Sequence, residues 1–209
     1  ESNAFQIPSA GKWQQLTNSG ENSKSIDYTV SIYNWSQNFE LIYDIDFESA
    51  GIDSITPVGK AQKENTTADI NHNYFTGNFD GNNKIISNVE IENDDELAVG
   101  LFGYVGDTGT NPTFVTIQNV ILSNCTITAS KADSSKTSAG AILGIGRNVT
   151  ISNCHSINNK ITAYNNAGGI AGSITEGSVV IEKCSNTGRN GKVFSNGAGS
   201  TIMTTAGGI

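Results

Sequence analysis

The chain has 209 residues, 36% of them apolar and only 15% charged, with a formal net charge of −8 and a pI near 4.6. Such a surface, with just two arginines (Arg147 and Arg189), repels phosphate backbones and anionic headgroups, which argues against nucleic acid or anionic membrane as a partner. No apolar run approaches the roughly 18 residues that cross a bilayer, so no membrane insertion is expected in this segment, and Cys125, Cys154 and Cys184 are odd in number without a CxxC pair, which argues against zinc and a disulfide framework.

The length allows one large or two small domains, and 23 glycines and 25 asparagines leave few strong helix formers. Apolar residues recur at short intervals throughout, so an all-β chain rich in turns is expected. The first element is a short helix in "SAGKWQQLTNSG" (9–20), with Ser9 as its cap and Trp13 and Leu16 on one side. Two strands follow, "IDYTVSI" (26–32) and "FELIYDIDF" (39–47). In the second, Phe39, Leu41, Tyr43, Ile45 and Phe47 alternate with other residues and share one face. In "FTGNFDGNNKIISNVEI" (75–91), Phe75, Gly77 and Phe79 alternate with polar residues until Asp80-Gly81 reverses the chain, which reads as the entry into regular coils.

From there the sequence repeats. "AVGLFG" (98–103) returns as "AGAILG" (139–144) and "AGGIAG" (167–172), and "AGGI" (206–209) begins a fourth copy, at spacings of 41, 28 and 39 residues. "ISNV" (86–89), "IQNV" (117–120), "ISNC" (151–154) and "IEKC" (181–184) form a second cadence, and Ile127, Ile161 and Val193 a third. Three short strands per repeat suit one coil of a parallel β-helix, each strand stacking on its counterpart at about 4.8 Å. Insertions such as "TASKADSSKTS" (128–138) can leave as loops. Asn88, Asn119 and Asn153 read as one column of left-handed bends with side chains bonded along it, a pattern that Lys183 breaks.

Each hexapeptide reads as one rung of a stacked sheet, in which Leu101, Ile142, Ile170 and Ile209 are expected to form an inward column, with Phe102, Leu143 and Ala171 covered by a loop or a partner. The expected fold is therefore an all-β, right-handed parallel β-helix with an N-terminal cap. Residues 1–70 form the cap and first strands, and 71–209 the coils, continuous with the cap as one domain. A stop inside a rung leaves an unpaired edge, so the chain reads as truncated at its C-terminus, with a further domain or another copy against that edge.

"KWQQL", the strand ending "YDIDF", "ITPVG" (55–59), "FTGNFDGNNKIISNVEI", "VGLFG" and the alternation of "I-x-N" with "GGIAG" together resemble bacterial surface proteins that carry GLUG motifs. The resemblance runs nearly end to end. It implies a repetitive β-helix on a secreted or cell-surface protein, of the kind found in large adhesin-like and haemagglutinin-like proteins and in non-catalytic regions of immunoglobulin A metalloendopeptidases. The motif carries no established catalytic residue, so none is transferred.

The residues themselves offer little chemistry. His72 and His155 lie outside any H-E-x-x-H pattern, so no zinc protease site is present, and both read as exposed or capping groups. A polysaccharide lyase or glycoside hydrolase would need calcium-binding or paired carboxylates. Asp44 and Asp46 read as a solvated pair, Asp80 as a turn residue, and Glu92, Asp94, Asp95 and Glu96 as a solvated loop. Cys154 and Cys184 share a column and read as buried thiols. No catalytic, cofactor or metal residue is assigned.

A non-catalytic extracellular module for adhesion or for binding a host glycan or protein is the expected function, with a structural spacer and a polysaccharide-degrading enzyme as alternatives. The ligand-binding candidates are the aromatics Tyr33, Trp35, Tyr74, Tyr104 and Tyr164, each of which also reads as packing.

Overall fold

The computed structural model describes residues 3–19, 34–60, 74–92, 97–106, 112, 114–130, 137–175, 177–189, 191–195 and 201–203, the last three by their backbone. The strand read in 26–32, Tyr33, His72, Asp94, Asp95, Glu96 and the hexapeptide copy at 206–209 lie outside them.

The cap comprises strand β1 (Phe5–Ile7), helix α1 (Ala10–Ser19), β2 (Phe39–Leu41), β3 (Ile45–Asp46) and β4 (Ser54–Ile55). Four coils follow: β5 (Phe79–Ser87), β6 (Glu90–Glu92), β7 (Ala98–Val99) and β8 (Phe102–Val105); then β9 (Val115–Ser123), β10 (Thr126–Ala129), β11 (Ser138–Gly140) and β12 (Leu143–Gly146). The third coil holds β13 (Val149–Ser152), β14 (His155–Ile157), β15 (Lys160–Ala163), β16 (Asn166–Gly168) and β17 (Ala171–Ile174), and the fourth β18 (Val179–Glu182), β19 (Ser185–Thr187), β20 (Lys192–Ser195) and β21 (Thr201–Met203).

Every strand pair between coils is parallel, and the strands collect into four sheets: a broad one through β1-β2-β5-β9-β13-β18, then β4-β6-β10-β15-β20, β7-β11-β16-β21 and β8-β12-β17. This is a parallel β-solenoid, as the repeats require.

The helix forms where expected. The Ser9 hydroxyl and carbonyl accept from the amides of Lys12 and Trp13 at 3.4 and 3.0 Å, and Trp13 and Leu16 are buried. Trp13 meets Phe79 edge-on at 5.5 Å, and Phe75 and Phe79 pack against Phe102 with their ring centroids 5.0 and 5.2 Å from its own. These aromatics fill the N-terminal end of the core, whereas Ile117, Ile151, Ile161 and Ala163 fill the later coils. Phe102, Leu143 and Ala171 are thus buried, and for Phe102 the cover is the protein's own aromatic cluster.

The register corrects several sequence readings. The second cadence slips in its first copy: Ile86 pairs with Leu122, so Asn88 stacks on Asn124 and not on Asn119. Each coil therefore bends twice along its broad sheet. One column of bends holds Asn119, Asn153 and Lys183 (φ 57, 51 and 55°), the other Asn88, Asn124, Asn158 and Gly188 (φ 58, 55, 56 and 119°). Lys183 does not break the first column; it adopts the same left-handed backbone at the cost an L side chain carries there.

"DGNN" does not reverse the chain either. It is a bulge between Asp80 and Lys84 within β5, which pairs with β9 on both sides of it. The same corner splits 39–47 into β2 and β3, leaving Tyr43 63% exposed instead of sharing the buried face of Phe39 and Ile45.

The hexapeptide is two strands of different sheets joined by a crease. Leu101, Ile142 and Ile170 sit buried at that crease. Phe102 pairs with Leu143 as expected, but Ala98 pairs with Ser138, one residue off, because the first copy has a shorter crease. Ala167 pairs with Ile202, so the described fourth rung of this sheet lies at Thr201–Met203 and not at Ala206. At the crease the two sheets approach backbone to backbone: a Cβ on Gly144 would lie 2.6 Å from the Val99 amide nitrogen and 2.8 Å from the Ala98 carbonyl carbon. Glycine is required there by space.

Candidate functional site

Tyr74 and Tyr104 come together from different coil segments. Phe75 bridges to Val105 and donates its amide to the Tyr104 carbonyl at 3.0 Å, which sets the two tyrosines side by side. Their rings stack with centroids 5.4 Å apart and planes inclined by 27°. Both remain half-buried. The pair borders a cleft of about 90 Å³ whose other walls come from Ile145, Arg147 and Thr175, over the backbone of Gly106 and Gly146.

The walls are held by the ladder. Tyr104 pairs with Ile145 and Val105 with Gly146, and the Arg147 amide donates to the Val105 carbonyl at 3.0 Å. Gly106 sits at φ 103° directly against the Arg147 carbonyl, where a Cβ would collide. The Thr175 amide and hydroxyl both donate to the Gly146 carbonyl, at 3.1 and 3.3 Å. Burial pushes the Tyr74 phenol above its usual range, while the nearby positive charge of Arg147 pulls it back in part. The phenol is therefore a neutral donor at physiological pH. Two tyrosines, Arg147 and Thr175 line the cleft, and none of its described lining residues is a carboxylate.

The other candidates lie elsewhere. Trp35 belongs to the core: it is buried, and its indole N–H donates to the Leu16 carbonyl at 2.9 Å, tying the turn at 34–38 to helix α1. Tyr164 directly follows β15 on another side of the solenoid, with its amide donating to the Ala129 carbonyl at 3.2 Å. Arg147 and Thr175 carried no functional signal of their own in the sequence, because their place beside Tyr104 depends on pairing between coils.

A second concavity, an open groove of about 420 Å³, crosses the broad sheet over Asn38, Asn78, Glu40, Asp80 and Gln118. Its polar groups largely satisfy one another. The Asn78 amide donates to Asn38 Oδ1 at 2.9 Å, the Thr116 amide to Asn78 Oδ1 at 2.7 Å, and Gln118 Nε2 to Asp80 Oδ2 at 2.7 Å. Beside it the bend column forms a ladder: Asn119 Nδ2 donates to Asp80 Oδ1 at 2.9 Å, and Asn153 Nδ2 to Asn119 Oδ1 at 2.8 Å. His155 closes the ladder, with Nε2 3.3 Å from Asn153 Oδ1 and Nδ1 2.8 Å from Ser185 Oγ. Burial works to raise the Asp80 carboxyl, but the bonds from Asn119, the Asn82 amide and Gln118 together outweigh it and hold the group below the usual range.

Asp44 and Asp46 are exposed, and each bonds to the next coil: Asp44 Oδ1 accepts from the Ile85 amide at 2.9 Å, Asp46 Oδ1 from Asn88 Nδ2 at 3.0 Å. The three thiols are buried and unpaired, with Cys184 Sγ 3.4 Å from the Cys154 amide. Among the described residues no group of three or more metal-ligating side chains gathers, and no helix is long and apolar enough to cross a membrane.

No family model matches the chain, and no solved structure matches it. Over 147 residues, 70% of its length, it is 31% identical to halomucin from Haloquadratum walsbyi, of whose length it spans 1%.

Proposed function

We propose that this chain is a non-catalytic extracellular surface module of the GLUG-motif kind that binds a glycan through the Tyr74–Tyr104 cleft. The observation that carries the reading is the stacked tyrosine pair at the mouth of a small preformed cleft on the solenoid flank. Flat aromatic rings offer the C–H face of a sugar a large, rigid contact at low entropic cost, and a few convergent polar groups fix its orientation. The likeness to a protein named halomucin supports an extracellular setting. Against catalysis, a glycosidase needs one carboxyl held protonated, whereas Asp80 in the groove is drawn the other way.

Screening the intact chain against an oligosaccharide array and a panel of extracellular matrix proteins tests this. Glycan binding that falls tenfold or more in Tyr104→Ala and Tyr74→Ala is expected. Silence across the array with folded protein sinks the reading.

A spacer is the second reading, favoured by the last described coil. There Val180 and Phe194 are exposed and Val179, Ile181 and Val193 only partly buried, an apolar edge on which further coils could stack. A spacer leaves every array spot empty and keeps its fold under load.

A further inference from the structure

We infer that two copies of this chain pair through the outer face of the sheet β4-β6-β10-β15-β20, with their solenoid axes antiparallel. This pairing is independent of the glycan reading above. Burial alternates along these strands, so Ile91, Ile127 and Ile161 point into the core and the residues beside them point out. Register stacks the outward residues into two columns. One runs Ser54, Glu90, Thr126, Lys160 and Lys192, and the other Glu92, Thr128, Thr162 and Phe194. The face is therefore acidic at β6, uncharged at β10 and basic at β15 and β20. The same gradient runs through the whole chain: 17 of its 20 acidic residues precede residue 112, and 7 of its 12 basic residues follow it.

Lys160 lies opposite Lys192 on the neighbouring strand, where like charges repel. Glu90, Glu92, Lys160 and Lys192 are all exposed, and among the described residues none of these side chains is held by a hydrogen bond or an ion pair within the chain. A two-fold axis laid along β10 gives each charge a partner. It carries the β15 row of each copy over the β6 row of the other, so Glu90 faces Lys160 of the second copy and Lys160 faces its Glu90. Thr126 and Thr128 meet their own counterparts on the axis, and Lys192 falls over Ser54, next to the exposed Asp53. Every contact is made twice, as in any isologous pair.

A polyanion would suit the lysines but be repelled by the glutamates, two strands away at about 10 Å. A second copy carries both signs in reverse order. Five strands of two to four residues present a face about 20 Å by 10 Å, smaller than a standard interface. The pair is accordingly weak, micromolar at best, and screened by salt.

Sedimentation velocity of the full chain over about 10 to 500 µM, in about 20 and 500 mM salt, tests this. A monomer–dimer equilibrium is expected at low salt, with a dissociation constant that rises tenfold or more at high salt. Lys160→Glu alone and Glu90→Lys alone each set like charges face to face and should weaken pairing at least tenfold. Mixing these two variants in equal amounts recreates both contacts and should return dimers of near-parental strength, as should the double variant by itself. Far-UV circular dichroism confirms that each variant is folded. A monomer under every condition, a dimer that ignores both reversals, or a loss that mixing does not repair overturns the pairing. Species that grow beyond the dimer overturn it as well, and assign the contact to end-to-end stacking. Glycan binding on the array stands or falls separately.

Discussion

Adding one methyl group at two glycines should have opposite effects. At Gly144 an added Cβ meets backbone on both sides, 2.6 Å from the Val99 nitrogen and 2.9 Å from the Gly103 carbonyl oxygen. Ordinary contact begins near 3.4 Å, so the crease would have to open by about 0.8 Å at the closest point. Backbone in two hydrogen-bonded sheets cannot rotate aside as a side-chain tip can. Gly144→Ala should therefore sit at the upper end of overpacking costs, about 3 kcal/mol, or roughly 6–12 °C in Tm for a chain of this size. At Gly11, in the first turn of α1, an added Cβ meets nothing within 4 Å. Gly11→Ala should stabilise by about 0.5–1 kcal/mol through the lost freedom of the unfolded chain. Equilibrium urea unfolding of both variants measures the pair. If Gly144→Ala falls within 0.5 kcal/mol of the parent, the crease is not closed backbone to backbone and the account of the hexapeptide is wrong.

Asn159 is buried with its amide fully used: Oδ1 accepts from the Cys125 amide at 2.7 Å, and Nδ2 donates to the Leu122 carbonyl and Ser156 hydroxyl at 2.9 and 3.0 Å. Asn159→Leu orphans those buried groups and should cost about 2–4 kcal/mol in urea unfolding; a neutral result would mean the groups find other partners. Lys183→Gly relieves a left-handed lysine at φ 55° and should stabilise by about 1 kcal/mol, read as a rise in Tm, and a fall would contradict the strain argument.

Burial pushes the Cys125 thiol from 9.0 up to about 11, so the fold prefers the protonated form. Its contribution is complete below pH 9 and is lost as pH rises towards 11, because the unfolded chain releases the proton first. The loss amounts to about 3 kcal/mol. Unfolding free energy measured from pH 8 to 11 should fall more steeply in the parent than in Cys125→Ala; parallel curves refute it. At pH 8 this thiol should also resist Ellman's reagent until urea unfolds the chain.

The coil architecture was legible because stacked columns must repeat chemically: Ile127, Ile161 and Val193 do pair in register, and so do Leu143 and Ala171. What misled the reading was the presence of two similar bends per coil. "ISNV" matches both "IQNV" and the "LSNC" at 122–125, and string similarity cannot tell which bend is which. Only pairing does, through Ser87 opposite Ser123. The glycines announced close approach without saying that the approach lies across a crease between two sheets.

The site was half legible. Tyr74 and Tyr104 stand out as aromatics among small residues, but nothing local joins them to Arg147. Trp35 looked identical to them in sequence, and only the bond from its indole to Leu16 shows that it belongs to the core.

The parallel ladders also decide how the protein meets force. Bonds between coils run along the solenoid axis in four sheets at once, so tension spread evenly over a coil must break all four rows together. Tension applied through a single terminal strand instead opens one rung after another, each at a small fraction of the total load. The point at which the solenoid is gripped, more than the number of its coils, sets the force at which it unzips.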